Sequence, residues 1–127
     1  MRKLLSGLLL ITSLTYSDEV AKELFKSKCS ICHQTMRPSD ISTLIAPPIM
    51  GVMKHVKMEY SNKDDAIAFM VDYILSPSRE KAVCLPHSIE RFGVMPSQKA
   101  NVTQEELTKI ANYLYDNFPK RGLKGRQ

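Results

Sequence analysis

The sequence predicts an all-α fold, and three observations carry that expectation. Two long apolar patterns repeat at helical spacing, each opened by a capping signal. Proline closes both of them, at Pro77 and Pro119. No run alternates apolar and polar residues as a half-buried strand would. The 127 residues fit one domain, without internal repeat or low-complexity segment.

The elements follow in order. Asp18 to Lys28 reads as helix: Val20 and Leu24 lie four apart, as do Ala21 and Phe25. Its acids Asp18 and Glu19 stand at the start and Lys26 and Lys28 near the end, as the helix dipole favours. Thr35 to Tyr60 reads as irregular chain, broken by Pro38, Pro47, Pro48 and Gly51. Ser61 or Asn62 caps a helix whose first turn holds Asp64 and Asp65 and whose apolar stripe is Ile67, Met70, Val71, Ile74 and Leu75. Ser78 to Ala100 is expected to be mostly loop, with a short helical piece near Ser88 to Phe92. Thr103-Gln104-Glu105-Glu106 is a capping box, and the helix it opens buries Leu107, Ile110, Ala111, Leu114 and Phe118.

Composition narrows the function classes. With 43% hydrophobic and 24% charged residues, the chain is neither a disordered tail nor a membrane protein throughout. Aromatic residues are few at 7%, with no Trp, so a buried non-protein group could fill part of the core. The charge of +5 is modest and no aromatic residues interleave with basic ones, which argues against nucleic-acid binding.

Met1-Arg2-Lys3 is a basic start, followed by an apolar stretch from Leu4 to Leu14 and then Thr15-Tyr16-Ser17. This is the layout of a secretory leader cleaved after Ser17. The apolar run falls short of the roughly 20 residues of a membrane span; no second long run follows, so no stable membrane insertion is expected once the leader is removed. The expected division is thus a signal peptide over 1–17, a domain over 18–118 and a basic tail over 119–127 with Lys120, Arg121, Lys124 and Arg126. Export to a bacterial periplasm is the expected location.

Cys29-Ser30-Ile31-Cys32-His33 carries the chemistry. Two thiols three residues apart can add to the two vinyl groups of one haem, and the adjoining His then lies under the ring and binds iron. This is the haem c attachment signature. A random shuffle of this composition yields it on the order of one time in a thousand. Other readings of the cysteines stand beside it: a disulfide or redox pair between Cys29 and Cys32, and a zinc-stabilised Cys₃His binding module of Cys29, Cys32, Cys84 and His87.

An iron held by His33 needs a second ligand from far along the chain. Met95 stands between Gly93 and Pro96, in a loop that can present a thioether inward on a fixed backbone. Met70 belongs to a helical stripe; Met50, Met53 and Met58 flank a loop, and Met36 is too close to His33 to reach the opposite face. His55 and His87 are the non-Met candidates. A Met/His pair raises the reduction potential and leaves no open coordination place, so the expected role is an electron carrier and not an enzyme. A haem ligand-binding or enzymatic domain is the further alternative, and would need a labile sixth ligand.

With these residues assembled, the chain resembles the class I cytochrome c family over roughly Val20 to Phe118. Phe25-x-x-x-Cys29-x-x-Cys32-His33 resembles that family's first helix running into its haem motif, Met95-Pro96 its distal loop, and Ile110-Ala111-Asn112-Tyr113-Leu114 its last helix. Ala46-Pro47-Pro48 resembles the proline loop whose carbonyl supports the axial His, which by that resemblance makes Pro48 the acceptor from His33. Ala21 stands where the family often has Gly, and implies a slightly wider crossing of the terminal helices. The resemblance implies three main helices with long loops wrapped around one covalent haem c and its iron. It also implies a small respiratory-chain monomer, its partners a quinol-oxidising complex and a terminal oxidase or reductase. Lys54, His55, Lys57 and Lys99 are candidates for a docking face or for plain solvated surface.

Overall fold

The computed structural model describes residues 12–120. Most of the expected leader and the tail from residue 121 onward lie outside the described residues. Five α-helices and no strand occur among them: α1 (Thr12–Lys28), α2 (Ile49–Glu59), α3 (Lys63–Leu75), α4 (Pro86–Phe92) and α5 (Gln104–Asn117), with a short 3-10 turn at Ile41–Thr43. The fold is all-α. None of the described helices is long and apolar enough to cross a membrane.

The expected first helix is present but begins six residues early, so the expected cleavage point after Ser17 falls inside α1. Asn62 caps α3 through its side-chain oxygen, which accepts from the amides of Asp64 and Asp65 at 2.9 and 3.2 Å. The capping box of α5 is complete: Glu106 N donates to Thr103 Oγ1 at 3.1 Å and Thr103 N to Glu106 Oε2 at 3.0 Å. The short helix expected near Ser88 is α4, opened by Pro86 in its first turn.

The helix α2 corrects the expectation of irregular chain from Thr35 to Tyr60. Pro48 sits at its N-cap, where a missing amide costs nothing, and Gly51 lies inside it. A helical glycine costs about 1 kcal/mol relative to Ala. Burial of Ile49, Met53 and Val56, spaced i, i+4, i+7, outweighs that cost.

The core is the meeting of α5 with α1 and α3. Leu107, Ile110, Ala111 and Leu114 are buried along one face of α5, as is Phe118 at its end. Phe25 of α1 rests against Tyr113 and Phe118, ring centroids 6.1 and 6.3 Å away. Ala21 is buried one turn earlier. Of the stripe expected on α3 only Met70 is buried, together with Ala66; Ile67, Val71, Ile74 and Leu75 are half-buried. Ile74 faces a cavity beside the core.

Leu107 is 0% exposed. Replacement by Ala should cost about 2–5 kcal/mol, whereas Thr103→Ala, which removes one cap, should cost about 1 kcal/mol. Denaturant unfolding of the two variants checks the order; equal losses would contradict the packing described.

Candidate functional site

One helical turn extends α1 past its last residue. Phe25 O accepts from Cys29 N at 2.9 Å, and Cys29 O accepts from Cys32 N at 3.2 Å and His33 N at 2.9 Å. The motif is therefore coiled, not extended. Residues i, i+3 and i+4 of one turn share a face, so Cys29, Cys32 and His33 are brought to the same side. All three line a cavity of about 390 Å³. That is within the roughly 300–1,000 Å³ of small-molecule and cofactor sites.

The other walls are apolar. Ile49, Met53 and Val56 come from α2, Met70 and Ile74 from α3, and Ile110 and Leu114 from α5. Met95 lines the same cavity from the loop after α4. Met53 and Met70 are buried within helices, Met50 is half-buried, and Met36 and Met58 are exposed. Sequence reasoning placed Met53 beside a loop; its i, i+4, i+7 register with Ile49 and Val56 was the signal of a helical wall.

His33 Nδ1 lies 2.8 Å from the carbonyl oxygen of Pro47. A carbonyl can only accept, so Nδ1 is the donor and Nε2 is the ring nitrogen left to coordinate. The resemblance implied Pro48 as the acceptor; in the structure it is Pro47. The reason is local: Pro48 is the N-cap of α2, and its carbonyl already accepts from Gly51 N at 3.0 Å and Val52 N at 3.2 Å.

The thiols differ. Cys29 is half-buried, and burial pushes its pKa up to about 11, helped by Cys32 and opposed by Lys28. Cys32 is exposed. Cys84 also lines the cavity, and burial raises its pKa. Next to it, Tyr73 is raised by burial and by Cys84, and lowered in part by the Met95 backbone.

The four donors of a Cys₃His zinc site do not meet. No group of three or more His, Cys, Asp or Glu side chains among the described residues could hold a metal ion. His87 is exposed in the first turn of α4, whose buried residue is Ile89. Of the candidate docking residues, Lys57 donates to the carbonyl of Tyr115 at 2.6 Å, its Nζ 4.4 Å from that ring's centroid. Lys54 and Lys99 are exposed and His55 is half-buried.

Two thiols, an imidazole of fixed tautomer and a thioether on one apolar cavity are a donor set suited to a covalently attached haem. No family model and no solved structure matches the chain. It is 35% identical over 135 aligned positions to an uncharacterized protein of Aquifex aeolicus (strain VF5), covering 93% of this chain and 89% of that protein.

With both thiols free, exposed Cys32 should react with a thiol alkylating agent at neutral pH well before Cys29. The thiolate is the reactive form, so Cys29 should catch up only as pH climbs toward about 11. Peptide mapping by mass spectrometry reads the order, and equal labelling at pH 7 would refute it.

Proposed function

The chain belongs to one family with the Aquifex aeolicus protein, and we propose for it the role of a periplasmic single-electron carrier holding one haem c in a cytochrome c-type fold. Cys29 and Cys32 are the thioether anchors; His33 and Met95 are the iron ligands. The observation that carries this reading is the single turn from Cys29 to His33, which lines one cavity together with Met95. When bound, the haem supplies one-electron exchange between ferric and ferrous iron.

The residues of the chain serve that exchange by holding still. The Pro47 carbonyl keeps the His33 ring oriented by accepting from its Nδ1, which leaves Nε2 as the coordinating nitrogen. The apolar walls from α2, α3 and α5 exclude water, which favours a small change in surroundings between the two charge states. Ile31 and Cys32 of the motif and Met36 just after it are exposed, on a surface where a redox partner could approach. The partners in this reading are a quinol-oxidising complex on one side and a terminal oxidase or reductase on the other. In this reading the protein works as a monomer, and the leader-like start at Met1-Arg2-Lys3 supports its export.

The intact mass of the exported protein, made in a host that attaches haem c and measured under denaturing and reducing conditions, tests the reading. The expected species is heavier than the mature chain by one haem, with haem absorbance surviving denaturation. A bare-chain mass, with a control cytochrome maturing in the same cells, would overturn it. Met95→Ala should open the iron to carbon monoxide and keep the haem; an unchanged spectrum would remove Met95 from the ligand set.

A further inference from the structure

The loop that carries Met95 is tied to two consecutive residues at the end of α3, Ile74 and Leu75. Ser97 Oγ donates to Leu75 O at 2.6 Å. Gln98 N donates to Ile74 O at 3.0 Å. The Tyr73 hydroxyl lies near enough to the Met95 backbone for that backbone to lower its pKa, and Tyr73 and Met95 line the same cavity. The last carbonyls of a helix have no partner within it and must find one elsewhere. Here the loop supplies two of the donors, so the end of α3 and the loop are completed by each other.

At its other end the loop leaves α4 through Gly93, whose φ of 75° is the left-handed conformation that glycine adopts without strain. A Cβ there would meet nothing within 4 Å, so backbone conformation and not space is what calls for glycine. Between this bend and the lacing at Ser97 and Gln98 stands Met95, half-buried on the cavity. Ser97 does more than bond to α3: its oxygen also accepts from Lys99 N at 3.3 Å, which turns the chain away from the cavity immediately after the lacing.

The geometry points to Ser97 as a positioning residue that holds Met95 in the cavity by lacing its loop to the end of α3. The inference rests on the reading of Met95 as distal ligand. Ser97 touches neither iron nor haem; it acts through the loop. An iron ligand that a loop holds in place competes with any external ligand, and the apparent affinity of the external ligand scales with the fraction of time the place is open. Loosening the loop therefore reads out directly as tighter binding of a small ligand.

Carbon monoxide titration of the reduced holoprotein tests this, in a series of parent, Ser97→Ala, Ser97→Thr, Tyr73→Phe and Met95→Ala, each first shown to carry covalent haem and parental helicity. The Ser97 bond is exposed. Its loss should therefore raise carbon monoxide affinity about threefold, the value of a weak net hydrogen bond. Ser97→Thr keeps the hydroxyl and should restore the parental affinity. Tyr73→Phe, which removes the hydroxyl beside the Met95 backbone, should give a second increase by itself. If Met95→Ala binds carbon monoxide tightly while Ser97→Ala and Tyr73→Phe both match the parent, the lacing does not position Met95 and the inference falls. A parent that already binds as tightly as Met95→Ala would overturn the ligand reading beneath it. An unfolding midpoint lowered without change in affinity would assign Ser97 a structural role only, and equally overturn the inference.

Discussion

Phe25 sits where α1 meets α5, its ring against Tyr113 and Phe118 and its carbonyl accepting from the amides of Cys29 and Ser30. The two halves of this residue do different things. The side chain fixes the end of α1 against the core, and the backbone starts the turn that carries the two motif thiols. Everything on the near wall of the cavity inherits its position from that junction. Ala21, buried one turn back, keeps the approach of the helices close by offering little bulk. A ring in place of that methyl group would push the end of α1 outward and the motif with it.

The far wall is held by another kind of connection. The Met95 loop has no helix of its own. It borrows fixed points from the end of α3, whose last carbonyls need donors in any case. The near wall is rigid because a helix continues through it. The far wall is rigid only as long as hydrogen bonds at the surface persist. A site built this way combines one immovable side with one adjustable side.

The helix ends were the most legible part of the sequence. Asn62 and Thr103 announce α3 and α5 because capping is a local interaction between neighbours in the chain, and the acidic residues after each cap reinforce it. The buried face of α5 was legible for a similar reason, since its period is uninterrupted. The helix α2 was not. Its prolines and Gly51 look like breakers, and only the register of Ile49, Met53 and Val56 speaks for a helix; that register matters because α5 and α3 are there to receive it. Choosing between Pro47 and Pro48 as the partner of His33 needed the first turn of α2 to be located, because that turn consumes the second carbonyl. The grouping of Cys29, Cys32 and His33 could be read from spacing alone. The remoteness of His87 from the cysteines could not, since a short helix turns its first residues to solvent or to core according to what lies beneath it.

The helix α2 has no side-chain cap at its start and contains a glycine, and it is held from outside, by burial and by Lys57 reaching the carbonyl of Tyr115 near the end of α5. The last turn of α5 contains no basic residue of its own, so a lysine 58 positions earlier serves its C-terminal dipole. Contacts so distant in sequence form late and open early. Pro47 immediately precedes this helix, so whenever α2 frays from its first turn the carbonyl that orients His33 moves with it. The imidazole then loses its preference for one tautomer, and either ring nitrogen can carry the proton. Amide exchange in the first turn of α2 and the proton position on a histidine 16 residues before Ile49 are in this way two readings of one local equilibrium.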